Sequence, residues 1–206
     1  MAGLADAAAR AQRRARIALK GFAYSGFGRA RWQLPDRVVA ELEVKPGDRV
    51  ADLGAGAGYF TFRLARAVGP SGVVYAVDTD PDMRAGLAAR AARGEDANVA
   101  VVAAGPDDPR LPEPVDLALL VNAYHPVPDQ PAYFANLARS LRPGGRLAIV
   151  EARPDGINRL IGHATPPATI RSELEAAGYT LLAERDFLPR QGFLVFGRPA
   201  PAPPAV

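Results

Sequence analysis

The run Val50-Ala51-Asp52-Leu53-Gly54-Ala55-Gly56-Ala57-Gly58-Tyr59-Phe60 constrains this chain more than any other stretch. An apolar segment closes on an acid, passes through three alternate glycines and opens into an amphipathic helix. Gly54, Gly56 and Gly58 have no Cβ, so the turn can take positive φ and admit a ligand against the backbone. A helix starting near Gly58 points unsatisfied N–H groups at whatever fills the turn. Such a strand–turn–helix unit suits a nucleotide-type cofactor. Dinucleotide turns follow G-x-G-x-x-G, with the third glycine packing helix on strand. Here the place of that third glycine is taken by Tyr59, which argues against a nicotinamide enzyme.

With 206 residues and 49% hydrophobic content the chain is long enough for one domain with a real core. It contains no Cys, which excludes disulfides, thiolate metal sites and a cysteine nucleophile, and is compatible with the cytoplasmic setting expected here. No segment approaches the roughly 20 apolar residues of a membrane span. Arg supplies all the basic residues except Lys20 and Lys45, a composition typical of a GC-rich bacterial genome. The net charge of +3 is unevenly spread. Residues 1–37 hold eight basic side chains against Asp6 and Asp36, so the remainder is slightly acidic and no basic patch is expected on the core. Residues 1–31 are expected to form a basic arm. It is a solvated helix or a lid over the site, or else an element that touches nucleic acid or an anionic membrane.

From Pro46-Gly47 onward, strand and helix signals alternate. Strands are expected at Arg49–Leu53, Val73–Val77, Val99–Ala103, Val115–Val121 and Arg146–Glu151. Helices are expected at Tyr59–Val68, Pro81–Arg93 and Ala132–Leu141, the last with Phe134, Leu137, Ala138 and Leu141 at helical spacing. Apolar strands separated by helices predict a parallel sheet covered on both faces. After a helix at Ile170–Ala177, the strands Tyr179–Phe187 and Phe193–Gly197 are joined by too few residues for a crossover and must be antiparallel. The expectation is an α/β, doubly wound, seven-stranded, mostly parallel sheet with an antiparallel last strand. It occupies residues 32–198 and is followed by a disordered Pro-rich tail, 199–206.

Four ordered features resemble the class I S-adenosylmethionine-dependent methyltransferases, over roughly Trp32 to Gly197. They are the glycine run, the acid Asp78 closing Val74-Tyr75-Ala76-Val77, the turn Leu141-Arg142-Pro143-Gly144-Gly145-Arg146-Leu147, and the terminal antiparallel pair. The resemblance is to the ubiquinone/menaquinone-methylase-like group and implies a Rossmann-like fold with S-adenosylmethionine as cofactor. It implies that Gly54, Gly56, Gly58 and Tyr59 carry the methionine half, with Asp52 orienting the loop or meeting the amino group. Asp52 is otherwise only a strand-end hydrogen-bonder. Asp78 would hold the ribose diol, since a carboxylate accepts two charge-assisted hydrogen bonds. The acid the family places against adenine is either displaced to Asp107 or absent, and Asp107 and Asp108 are otherwise turn caps.

The same resemblance turns Val121-Asn122-Ala123-Tyr124-His125-Pro126 toward cofactor and acceptor, and adds Asn122 to the cofactor contacts and Tyr124 to the substrate contacts. His125 is a candidate general base, or a structural hydrogen-bonder; His163 is a second candidate beside the substrate. Tyr24 and Trp32 lie where relatives build a lid, though Trp32 equally suits packing a helix on the sheet. Gln191 faces the acceptor or sits in a solvated turn. The run lacks the Asn/Asp-Pro-Pro-aromatic pattern of adenine-amine methylases, and with no basic core nucleic acid is not the expected substrate. The absence of Cys argues against the arsenite-methylating branch. No metal is expected. The implied function is in-line methyl transfer to a small molecule, or else a silent cofactor-binding module acting through its arm.

Overall fold

The computed structural model describes residues 28–94, 97–154 and 164–198. Tyr24, His163, most of the expected arm and the Pro-rich tail lie outside the described residues. In chain order the elements are α1 (Arg29–Gln33), α2 (Pro35–Glu41), β1 (Arg49–Leu53), α3 (Thr61–Val68), β2 (Val73–Asp78), α4 (Pro81–Ala91), β3 (Val99–Ala103), β4 (Val115–Val121), α5 (Gln130–Arg139), β5 (Leu141–Ala152), α6 (Pro167–Ala176), β6 (Thr180–Arg185) and β7 (Gln191–Gly197). The seven strands form one sheet in the order β3-β2-β1-β4-β5-β7-β6. β1 to β5 pair in parallel, and β7 runs antiparallel to both of its neighbours. The expected doubly wound sheet with an antiparallel last strand is the observed one.

Alternation along β4 shows how the sheet is covered. Leu117 and Leu119 join Val38 of α2 and Leu64 of α3 on one face. Ala118 and Leu120 join Phe134 and Leu137 of α5 and Ile170 and Leu174 of α6 on the other. All of these are buried, each large side chain contributing about 1.5–3 kcal/mol of transfer free energy.

Local chemistry sets the element ends. Asp80 caps α4 by accepting the Asp82 N–H at 2.7 Å, with Pro81 in the first turn. Asp129 caps α5 through the Ala132 N–H at 3.1 Å. The helix after the glycine run starts at Thr61, two residues later than the pattern predicts, because Gly54 to Phe60 is spent on the turn. β5 also differs from expectation. It begins at Leu141, before the Pro143-Gly144-Gly145 turn, and its pairing with β4 jumps from Val115↔Leu141 to Leu117↔Arg146. The turn is therefore a bulge inside the strand, with Gly144 at φ 77°.

Candidate active site

A cleft of about 320 Å³ opens where the C-terminal ends of β1, β2 and β4 meet, the usual ligand position in an open parallel sheet. Its walls include Leu53 and Gly54 after β1, Val77 and Asp78 of β2, Ala104 and Gly105 after β3, Ala123 after β4, and Tyr133 of α5. Asp78 accepts the Gly56 N–H at 2.7 Å and the Asp80 N–H at 2.8 Å. A carboxylate has about four lone-pair directions. Two are therefore used to hold the loop, and two remain for hydroxyl donors in the cleft.

Gly54, Gly56 and Gly58 all have positive φ (74°, 55° and 80°), but they are glycine for different reasons. A Cβ on Gly54 would stand 2.6 Å from the Ala123 Cβ, and one on Gly58 would stand 2.5 Å from the Phe62 ring. Those two let protein pack against protein. At Gly56 a Cβ would meet nothing within 4 Å, so no protein atom fills the space beside this residue, whose N–H is held by the cleft residue Asp78.

Asp52 is almost fully buried and lies behind the loop, outside the cleft wall, where it accepts the Thr61 hydroxyl at 2.6 Å. Burial raises its pKa from the usual carboxylate range to about 6, against the opposing effect of the Thr61 hydrogen bond. A carboxyl whose folded pKa lies above its unfolded value stabilises the fold fully below the unfolded pKa. That contribution is lost as pH rises through about 6. Asp52→Asn, whose amide oxygen can still accept from Thr61, is therefore expected to melt higher than the parent protein at pH 7.5. The gain is at most about 3 kcal/mol and shrinks toward pH 4. A thermal melt series across that pH range checks it, and a difference independent of pH would refute the burial argument.

Tyr59 lies between two guanidinium groups, Arg29 at 4.2 Å and Arg63 at 4.4 Å from its ring centroid, and its buried hydroxyl has no hydrogen-bond partner among the described residues. Burial lowers the Arg29 pKa. Asp107 is exposed and does not line the cleft; its carbonyl accepts from Asn136 at 2.8 Å. Asp108 accepts the Arg110 N–H at 2.7 Å, the turn-capping role. Trp32 is half-buried on α1, 5.8 Å from the Arg190 guanidinium, and is not a wall of the cleft.

The segment after β4 divides its residues sharply. Asn122 adopts a left-handed backbone (φ 52°) and accepts the Gln191 side-chain N–H at 2.8 Å. Gln191 is buried at the start of β7, so it is neither in a solvated turn nor on the surface of the cleft. Tyr124 is 0% exposed, stacked on Phe134 with centroids 5.2 Å apart, and donates its hydroxyl to Glu173 at 2.5 Å. It is a core residue and not a wall of the cleft, because the Tyr124 ring fills the layer between sheet and α5. His125, 22% exposed, sets Nδ1 3.2 Å from Oε1 of Glu151, which is 1% exposed at the end of β5. Glu151 also accepts the Tyr124 and Ala152 N–H groups, both at 3.1 Å. A buried carboxylate held by two backbone donors and one imidazole fixes the ring and its tautomer.

Arg29, Gln33 and Glu151 also hold this site together, and no motif in the sequence singles them out. The one available signal was the acid at the end of the apolar run Leu147-Ala148-Ile149-Val150, which has the form of Asp52 and Asp78 at the ends of their own strands. Among the described residues no His/Cys/Asp/Glu group could hold a metal, and no helix is long and apolar enough to cross a membrane.

Residues 50–145 match the family described as a methyltransferase domain. The chain is 30% identical over 147 residues to the arsenite methyltransferase of Halobacterium salinarum, covering 65% of this chain and 38% of that one. It is 32% identical over 158 residues to the protein-L-isoaspartate O-methyltransferase of Aeropyrum pernix, covering 73% and 57%. It is 33% identical over 125 residues to a ubiquinone/menaquinone biosynthesis C-methyltransferase of Ectopseudomonas mendocina, covering 58% and 48%. The chain thus spans between about two fifths and three fifths of the length of these relatives. In fold it is similar to a SAM-dependent methyltransferase from Aquifex aeolicus, with a TM-score of 0.76, 22% identity, and 82% and 92% of the two chains covered.

Proposed function

We propose that this chain, which carries a methyltransferase domain of the class I S-adenosylmethionine-dependent family, catalyses in-line methyl transfer to a small molecule. The observation that carries the reading is Asp78 at the tip of β2. It lines the cleft with two lone-pair directions unused, beside Gly56, the one of the three turn glycines with open space around it. Asp78 would hold a vicinal diol and the Gly56 segment the amino-acid portion of the cofactor. When bound, the cofactor supplies an electrophilic sulfonium methyl.

The chain itself supplies alignment, exclusion of water and a proton acceptor. With its Nδ1 hydrogen committed to Glu151, the neutral His125 ring carries its basic lone pair on Nε2. It is there that the proton of an acidic acceptor hydroxyl would be taken. Other parts of the chain narrow the acceptor. The chain has no Cys, which argues against an arsenic acceptor even though one relative bears an arsenite methyltransferase name. The slightly acidic core argues against nucleic acid. The Arg-dominated set of basic residues fits a GC-rich bacterial genome, and a Cys-free chain is compatible with a reducing cytoplasm.

Calorimetric titration with S-adenosylhomocysteine tests the reading. Binding is expected, and Asp78→Ala should weaken it by roughly 100-fold or more, the scale of two charge-assisted hydrogen bonds. Failure of the parent protein to bind, or equal binding by the variant, would end the assignment.

A further inference from the structure

Four side chains from three distant parts of the chain form one file of hydrogen bonds. The Arg29 guanidinium donates to Gln33 Oε1, Gln33 Nε2 donates to Gln191 Oε1 at 3.0 Å, and Gln191 Nε2 donates to Asn122 Oδ1 at 2.8 Å. An isolated amide can turn end for end with little change of shape. Here the turn is fixed from one end. A guanidinium has donors only, so Gln33 must offer it oxygen; the Gln33 NH₂ then meets Gln191, which must answer with oxygen, and so on to Asn122. Gln33 and Gln191 are 0% and 1% exposed, so no water is at hand to mend a reversed pair, and the polarity set by the cation passes along the file.

The file ends at Asn122, half-buried at the C-terminal edge of β4 and followed by the cleft residue Ala123. Its oxygen is consumed by Gln191, which leaves its NH₂ as the group on offer, and no described residue takes it. We propose that Asn122 Nδ2 is a specificity-determining donor that selects methyl acceptors bearing a carbonyl, carboxylate or phenolate oxygen. Arg29 and Gln33 are positioning residues that hold Asn122 in the donor orientation. The proposal rests on the methyltransferase reading and refines it. It also moves Asn122 from cofactor contact to acceptor contact. A cation at the head of the file makes its tail more attractive to negative charge, so oxygen acceptors that carry charge gain most.

The test uses the full chain with ¹⁵N-labelled Asn and Gln side chains, saturated with S-adenosylhomocysteine, and two ring-matched probes, benzoate and benzylamine. Benzoate is expected to bind at least tenfold more tightly and to move the Asn122 side-chain NH₂ resonances. Gln33→Leu cuts the file without adding charge and should remove most of that preference. Gln33→Glu, whose carboxylate can only accept, should turn Gln191 and Asn122 over, bringing the Asn122 oxygen outward and reversing the preference. Melting curves and S-adenosylhomocysteine affinity are read on the same samples. Should a Gln33 variant not fold, Asn122→Asp keeps the Gln191 hydrogen bond yet must abolish the benzoate preference. Failure of both probes to bind would overturn the proposal, as would benzoate binding with Asn122 unmoved or a folded Gln33→Leu that keeps the parent preference. Failure of the parent to bind S-adenosylhomocysteine defeats the methyltransferase reading instead. The file is then still read by hydrogen exchange, with the Gln191 NH₂ protected and the Asn122 NH₂ fast.

Discussion

Gly58→Ala is expected to lower the melting temperature by roughly 4–20 °C, while Gly56→Ala, two residues away, lowers it by only about 2–8 °C. Both glycines have positive φ, 80° and 55°, so each substitution incurs the left-handed penalty of about 1–2 kcal/mol. Only Gly58 adds a collision. Its new methyl would lie 2.5 Å from the Phe62 ring and 2.8 Å from Leu87, buried side chains of α3 and α4 that cannot both retreat. Overpacking of that kind costs a further 1–3 kcal/mol or so. The functional ranking runs the other way. At Gly56 the methyl enters the space left for a ligand, so S-adenosylhomocysteine affinity should fall by at least about tenfold in a protein that is still well folded. Thermal melts and calorimetry on the two variants separate the effects. Equal melting temperatures, or parent-like binding by Gly56→Ala, would show that the glycines are not divided in this way.

Glu151→Gln is the second substitution with a large expected effect. It keeps the shape, but one amide oxygen replaces two carboxylate oxygens: standing in for Oε2 it still accepts the Tyr124 N–H, and the NH₂ takes the place of Oε1, where the Ala152 N–H loses its acceptor. In that orientation the NH₂ points at His125 Nδ1, which becomes the acceptor, and the imidazole proton moves to Nε2. The ring is thereby left in the tautomer that cannot take a proton at Nε2. Long-range ¹⁵N–¹H spectra of the imidazole should show the tautomer reversed. For an acceptor that must lose a proton, kcat should fall by about 10²–10⁴ with little change in KM, since general-base catalysis is worth that much. S-adenosylhomocysteine affinity should stay near the parent value. An unchanged tautomer would remove Glu151 from the positioning role.

Much of this was legible in the sequence, and the limits of legibility are physical. The parallel sheet followed from apolar strands interleaved with helices, and the terminal hairpin from a linker too short to cross over. Asp78 was readable because its place at the end of β2 depends only on the strand that precedes it. Gln191 was not, because its burial arises from β7 inserting beside β5 and from α1 reaching across to cover it, contacts spanning up to 158 positions. Tyr124 looked like a pocket residue from its neighbours in sequence. The left-handed turn at Asn122 instead accompanies a ring packed inward onto Phe134, a consequence of backbone conformation and not of composition. Glu151 and His125 are each ordinary alone, and only the parallel pairing of β4 with β5 brings them together.

The position of β7 has a consequence for how the protein is made. It is the last strand in sequence among the described residues, yet it sits inside the sheet, between β5 and β6. Until those residues leave the ribosome, β5 presents an open edge rich in Leu, Ile and Val, and β6 has no neighbour at all. Pairings between sequence-distant segments close slowly, and an unpaired apolar strand edge is where nascent chains stick to one another. Folding yield should therefore be governed by the emergence of β7. Chains released before Gln191 are expected to collect as aggregates or on chaperones, even though the whole glycine turn and Asp78 have long since been made.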